Sequence, residues 1–351
     1  MIHNQKISLK SSDKLSLLSN FSTMITAGIP ILETIDSLLE DSKGNSKRVL
    51  EIIREDIMQG NHLYSSLAKF PNIFDKVTIN VVRASEEAGT LDVTLKDLRT
   101  QIQKEMQFND KIKAALTYPV IILVVFTGVL LLILTVVIPK ISTVFSRLNV
   151  TLPLPTKILI FFSNGLVHHT IPVVIGLVAL SIGIVFLYKA QKRRILAVIY
   201  RAPVISVLAR EIDLARFSRS MFLLLTSGIT ITSALELTQE VVMRKDISEA
   251  IKHAKDTVLA GKNLSQGFKD QRKVFSSLVI KIIEAGEKTG TLDKSMQDIS
   301  EQQDYRVDNS LKTVTTLLEP IMLVSVGLLV GGVMLAIIAP IYGLIGQVSA
   351  R

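Results

Sequence analysis

Glu86-Glu87-Ala88-Gly89-Thr90-Leu91-Asp92 returns 201 residues later as Glu287-Lys288-Thr289-Gly290-Thr291-Leu292-Asp293. The match extends outward. Laying residues 60–92 over 261–293 without a gap gives ten identities in 33, Gly60/Gly261, Leu63/Leu264, Phe74/Phe275 and Ile79/Ile280 among them. Chance would give about two at ordinary residue usage. Upstream the offset is 200, where Thr26-Ala27-Gly28-Ile29-Pro30-Ile31 lies over Thr226-Ser227-Gly228-Ile229-Thr230-Ile231. Downstream, Pro119 lies over Pro320 and Pro139 over Pro340. A repeat of this length is a duplicated domain and too long a period for a solenoid.

The 48 % apolar content is unevenly distributed: no charged residue lies between Lys113 and Lys140, between Lys157 and Lys189, or between Glu319 and Arg351. The first and third gaps hold residues 119–139 and 320–341, each close to the ~20 apolar residues that cross ~30 Å of hydrocarbon as a helix. The second gap predicts a shorter span over residues 171–188, with Pro172 in its first turn. Residues 1–30 are polar and hold no signal peptide, so the first copy is expected to stay in the cytoplasm.

Charge by segment supports that orientation. Residues 1–118 carry 15 basic and 15 acidic side chains, 119–188 carry three and none, 189–318 carry 21 and 15, and 319–351 carry one of each. The basic run of residues 189–194 follows the second span, and positive-inside bias then places both copies on the cytoplasmic side.

Within each copy the apolar spacing is helical, and no strand-like alternation of useful length occurs. Ser11-Ser12-Asp13 offers N-caps to a first helix that Gly28 ends. Pro30 opens a second, which runs to about Glu40, and a third ends at Gln59 before Gly60. Short helical pieces follow near 61–69 and 75–88. Gly89 closes the latter, Thr90 caps the next helix, and Leu91, Thr94 or Leu95, Leu98, Ile102 and Met106 carry an apolar stripe toward the membrane.

The expected fold is therefore an all-α membrane protein with two homologous cytoplasmic bundles of about six helices each and three transmembrane helices. The segments are a first bundle over 1–118, a span over 119–139 and a short periplasmic loop over 140–170. A span over 171–188, a second bundle over 189–318, a span over 319–341 and a short periplasmic tail over 342–351 complete the chain. Pro119 and Pro320 mark where the outer spans begin.

The chemistry of an enzyme is missing. The only Gly-Lys pair, Gly261-Lys262, has Asp256 where a phosphate-binding loop needs its first glycine. The metalloprotease His-Glu-x-x-His and the hydrolase Gly-x-Ser-x-Gly are absent. There is no cysteine, and adjacent His168-His169 would point to different sides of an element, so no metal and no cofactor are expected. No charge lies at mid-depth in a span, which speaks against an ion or proton transporter. Gly327 and Gly331, and likewise Ala179 and Gly183, have the spacing that lets membrane helices approach closely.

The repeated Glu-x-x-Gly-Thr-Leu-Asp has two readings. As structure, Gly89 and Gly290 end a helix, Leu91 and Leu292 anchor the next, and Asp92 and Asp293 sit in its first turn, where negative charge is favoured. As function, Glu86 and Glu287 beside this corner would contact a partner.

Taken together, the Gly-Ile-Pro helical unit, the repeated corner, the charged approach to Tyr118-Pro119 and the Glu319-Pro320 that opens the last span resemble one family. The chain is similar to the F-domain inner-membrane platform proteins of type II secretion and type IV pilus machines. The resemblance covers nearly the whole chain and is carried by Glu86, Gly89, Leu91, Asp92, Glu287, Gly290, Leu292 and Asp293, with Pro119 and Pro320. It departs at Ser85, which stands where the second copy has Gly286. The resemblance implies a multi-pass scaffold of the bacterial inner membrane with its N-terminus cytoplasmic and its C-terminus periplasmic. It also implies homo-oligomers, contact with a cytoplasmic hexameric secretion ATPase, and partnership with pilins or pseudopilins and other inner-membrane assembly proteins. Such a platform couples the ATPase to extraction and polymerisation of pilin subunits. Two other readings remain open at this stage: the platform of a DNA-uptake pseudopilus, suggested by the six-charge excess of residues 189–318, and a small transporter or channel subunit.

Overall fold

The computed structural model describes residues 7–147, 154–168, 203–272 and 274–348. The expected second span, the basic run after it, His169 and the Ala179/Gly183 pair lie outside the described residues. Everything described is helix or the turns between helices, as the apolar spacing predicts.

The chain divides into two compact units, residues 1–111 with 207–310 and residues 112–206 with 311–351. The first holds the helical bundles of both copies of the repeat. Copy one contributes α1 (Ser11–Thr26), α2 (Ile31–Asp41), α3 (Gly44–Met58), α4 (Leu63–Leu67), α5 (Lys76–Ala88) and the start of α6 (Leu91–Leu132). A π-helical turn over Ile133–Val137, α7 (Ile138–Arg147) and α8 (Leu154–His168) follow. Copy two contributes α9 (Pro203–Thr226), α10 (Ile231–Val241), α11 (Lys245–Leu259), α12 (Leu264–Lys269), α13 (Ser277–Thr289) and α14 (Leu292–Val348).

The turns follow from local chemistry. Gly28 and Gly228 adopt φ of 82° and 78°, a region costly for any residue with a Cβ. Each lets the next amide reach back to the previous turn, Ile29 N–H to Met24 O and Ile229 N–H to Leu224 O, both at 3.0 Å. Asp75 caps α5, its Oδ1 accepting from Thr78 N–H at 2.7 Å, and Ser276 does the same for α13 through Val279 N–H at 3.4 Å. One expectation fails at the start of α1. Lys10 occupies the N-cap and makes no side-chain cap, because Ser11 has already turned helical; Asp13 acts instead as first-turn charge.

The two cores are related by compensating changes of volume. Leu17 and Leu67 of copy one are replaced by Phe217 and Phe268, which meet edge to face at 5.8 Å between ring centroids. Against these larger rings, Val49 and Ile53 give way to Ala250 and Ala254, and Ser66 to Gly267. All of them are buried. Constant total volume is what a close-packed interior tolerates best. The result in copy two is a tight crossing of α11 and α12: a Cβ on Gly267 would stand 2.7 Å from the Ala254 Cα.

In the second unit, α6 and α14 are each long and apolar enough to cross a membrane, with their apolar side chains almost entirely uncovered. They face each other across a cleft of about 550 Å³ lined only by apolar side chains, Phe126, Val129, Val330 and Val333 among them. Pro119 is buried inside α6, whereas Pro320 is exposed on α14. Residues 342–348, expected to be part of a short tail, continue α14 as helix.

The expected loop over 140–170 contains α7 and α8, both packed on the end of the first span. The reason is a backbone defect. In the π turn the Ile138 N–H bonds to Ile133 O, five residues back. In that register the Leu134 carbonyl would need the N–H of residue 139, which is proline and has none. Ser163 of α8 supplies the missing donor, its Oγ bonding to Leu134 O at 2.5 Å with both residues buried.

Gly267→Ala should destabilise the full-length detergent-solubilised protein by about 1–3 kcal/mol, the usual cost of overpacking, while Ser66→Ala in copy one should be near neutral. Thermal unfolding of the two variants checks this; equal midpoints would show that α11 and α12 can part freely.

Candidate functional site

The repeated corner is built twice in the first unit with the same geometry. α5 and α13 end at Gly89 and Gly290, in the left-handed region at φ of 70° and 73°. Thr90 N–H and Thr291 N–H return to Ser85 O and Gly286 O, both at 2.9 Å, and the chain turns directly into α6 and α14. Leu91 and Leu292 are buried as the first apolar anchor of the new helix. Asp92 and Asp293 are half-buried in its first turn.

Glu86 and Glu287 project from the last turn of α5 and α13 onto the start of the short helices α4 and α12. Those helices receive no side-chain cap from their own N-cap residues, His62 and Asn263. Glu86 supplies it from a distance: Leu63 N–H donates to Oε1 at 2.9 Å and Tyr64 N–H to Oε2 at 3.2 Å, with His62 Nδ1 3.3 Å from Oε1. Glu287 repeats the arrangement. It accepts from Leu264 N–H on one oxygen, and on the other from Ser265 N–H at 3.2 Å and Ser265 Oγ at 2.8 Å. A carboxylate taking two amides at a helix N-terminus satisfies orphan donors and meets the positive end of the dipole. Both carboxylates are thus turned inward. The outward rim of the corners differs in sign, Glu87 paired with Arg83 in copy one and Lys288 paired with Glu284 in copy two.

The departure at Ser85 has a local explanation. A Cβ on Gly286 would lie 2.2 Å from Ser295 Oγ and 2.8 Å from Ser295 Cβ, so the Ser295 side chain occupies the space. In copy one the side chain belongs to Ser85, fully buried, with its Oγ donating to Val82 O at 3.0 Å.

Between the copies lies a cleft of about 320 Å³. Its walls carry opposite charges: Lys111 Nζ donates to both Asp308 oxygens at 2.8 and 2.6 Å, Arg219 bonds to Asp304, and Lys104 stands 3.6 Å from Asp304. Lys76 and Glu240 add a pair at 2.8 Å between α5 and α10. The pairs that join the copies, Lys111–Asp308, Lys104–Asp304 and Lys76–Glu240, are half-exposed and contribute under about 1 kcal/mol each, so they set the register of the copies more than their stability. Arg219–Asp304 lies within copy two. Sequence reasoning missed these residues, and no signal in one chain reveals them: the repeat lays Lys312 over Lys111, so the partners are not equivalent positions.

Two carboxyls near these surfaces are perturbed. Burial pushes the Asp97 carboxyl up, opposed by the charge of Lys96. Burial also raises Asp213, against the bonds it accepts from Arg244 and Met243 N–H at 2.6 and 2.9 Å, which pin the turn before α11. Asp213 corresponds to Asp13, which is exposed in the first turn of α1, whereas Asp213 is buried within α9, a helix that begins eight residues earlier in the repeat.

Gly327 and Gly331, expected to pack against a helix, are exposed on α14, with nothing within 4 Å of where a Cβ would stand. They do not line the cleft toward the first span. Among the described residues no group of three metal-ligating side chains occurs.

A duplicated six-helix domain, each copy closing on a helix long and apolar enough to cross a membrane, defines a class of all-helical protein with paired candidate spans. The family model for the type II secretion system protein F matches this chain twice, over residues 17–139 and 217–340, and the chain belongs to that family. The type IV pilus assembly protein PilC of Myxococcus xanthus is 30% identical over 97% of this chain and 82% of that protein. PilC of Thermus thermophilus is 32% identical over 94% and 82%. The type II secretion system protein F of Aeromonas hydrophila is 26% identical over 97% and 88%.

Glu86→Ala and Glu287→Ala should each destabilise the protein by about 1–2 kcal/mol, the scale of a lost helix cap. Thermal melts of the full chain check this, and an unchanged midpoint would show the caps to be dispensable. A second prediction concerns Asp97. Its folded-state pKa lies above the unfolded one, so its charge opposes folding. That cost is absent below the unfolded value, grows as pH rises through the folded one, and is constant above it. Asp97→Asn should therefore gain stability relative to the parent across that window and keep the gain at neutral pH, as melts over a pH series would show.

Proposed function

We propose that this chain is the inner-membrane platform of a type IV pilus or type II secretion machine. In this role it couples a cytoplasmic hexameric ATPase to the extraction and polymerisation of pilin or pseudopilin subunits. The observation that carries the reading is the duplication itself: the family match covers both bundles together with the apolar segment that ends each of them. The relatives named above assemble type IV pili or belong to type II secretion, and the role is carried to this chain from those names. The protein acts as a scaffold without catalysis of its own, in homo-oligomers and alongside other inner-membrane assembly proteins.

Three spans with both copies cytoplasmic and the C-terminus periplasmic fit the charge distribution. The inter-copy cleft suits such a role because weak, half-exposed ion pairs can exchange partners at little cost. The inward-facing carboxylates of Glu86 and Glu287 support a partner surface by holding α4 and α12 in place, and the outward rim of the corners is where a partner would touch.

Affinity capture of the full-length protein from its native membranes, with bound proteins identified by mass, should recover a secretion-type ATPase and prepilins. Recovery of neither from a folded sample would overturn the reading. Charge reversal at Glu86 or Glu287 should lower ATPase recovery in step with thermal stability. Lost binding at unchanged stability would instead make the carboxylate itself the contact.

A further inference from the structure

The second unit contains one helix whose surface is inside out for a water-soluble loop. On α8, Thr156 and Ser163 are 2% and 0% exposed, whereas Ile158 and Phe161 are 55% and 75% exposed. Asn164 and Gly165 share the outer side, and Lys157 lies at one end of it. In water the hydroxyls would face out and the phenyl ring in. In hydrocarbon the order reverses, because polar groups must find partners inside the protein while apolar side chains have no reason to hide.

Depth is fixed independently by the bond to the first span. Ser163 Oγ reaches Leu134 O at 2.5 Å. Leu134 lies five residues inside the apolar stretch that ends at Pro139, about 7 Å below its end at the rise of a helix. Ser163 is held at the same depth, and Phe161 is half a turn away on the other side of α8. The helix also packs on α7 and on the π turn, so it lies along this end of the span. Lys157 is six residues from Ser163, about 9 Å along the axis, and its stem lets the ammonium reach headgroups while the neighbouring Ile158 stays in the acyl region.

We infer that α8 is not part of an aqueous loop but is embedded in the membrane leaflet at the Pro139 end of the first span, with Ile158 and Phe161 in contact with lipid. The partner of this face is the bilayer itself. The inference rests on residues 119–139 being a span, and the test separates the two.

The chain has no cysteine, so single substitutions give single thiols. Phe161→Cys, Ile158→Cys, Val124→Cys on the uncovered side of the first span, and Met58→Cys on the exposed end of α3 are each made in the full-length protein. Each is labelled with a nitroxide and reconstituted in phosphatidylethanolamine/phosphatidylglycerol vesicles. Collision rates with oxygen, which concentrates in lipid, and with a water-soluble nickel chelate are then read by electron paramagnetic resonance. The labels at 161 and 158 should favour oxygen over nickel several-fold, as at 124, while the label at 58 shows the opposite preference. Nickel access at 161 and 158 with lipid access at 124 would overturn the inference and leave the span intact. Nickel access at 124 as well would overturn both. Shielding of 161 and 158 from both reagents would mean that protein covers the face, and would also overturn it. Two labelled positions keep the result readable if one variant fails to fold.

Discussion

The first unit depends on one kind of contact made twice: a glutamate at the end of one helix accepting the first amides of another. α4 has five residues and α12 six, too short to form on propensity alone. Their N-cap residues, His62 and Asn263, make no side-chain cap hydrogen bond, so their orphan N–H groups would be left for water at a half-buried site. Glu86 and Glu287 remove that cost, and in doing so tie the sixth helix to the fourth through the left-handed turn at Gly89 or Gly290. The three features of the repeated motif are therefore one device. The glycine gives the reversal, the leucine anchors the outgoing helix, and the glutamate fixes the incoming one.

Because the device is intact in both copies, the rest of each core has been free to change around it. Phe217 and Phe268 stand for Leu17 and Leu67, and Ala250, Ala254 and Gly267 give back the volume. Ser295 fills the space at Gly286, whereas copy one carries Ser85 and Thr94 at these two positions, both buried. Such exchanges keep packing density while altering which helices lie closest. The copies are consequently similar in plan and different in surface, as the Glu87/Lys288 contrast at the rim shows, and a single partner would meet two distinct faces.

Much of this was legible in the sequence because it is local. The helix ends at Gly28, Gly60 and Gly89 and the opening of the second helix at Pro30 follow from backbone rules that need no tertiary context. The repeat then checks each reading against its counterpart. What stayed hidden were contacts between residues far apart and not equivalent in the repeat. Lys111 with Asp308, Arg219 with Asp304 and Asp213 beneath the turn before α11 all depend on how the copies and helices pack. The role of Glu86 stayed open for the same reason: its position at a corner was readable, but the direction of its side chain was not. The helix α8 was missed because prolines at 153 and 155 and two short apolar runs look like a loop when the reason for the helix, an unpaired carbonyl 29 residues earlier, is not in view.

The same requirement governs both units, and the medium decides which side chain meets it. In the first unit the orphan groups are amides at helix starts, near water, and carboxylates serve them because a charge there remains partly solvated and gains from the helix dipole. At the end of the first span the orphan group is the Leu134 carbonyl, and it needs a donor. An ammonium or guanidinium at that depth would carry a large desolvation cost, whereas a serine hydroxyl carries its proton without charge. Ser163 meets the need, and the helix that bears it is drawn down beside the span. A proline that removes one N–H thus determines where a neighbouring helix must lie, and the polarity of that helix is arranged accordingly, the Ser163 hydroxyl toward the span and Phe161 away from it.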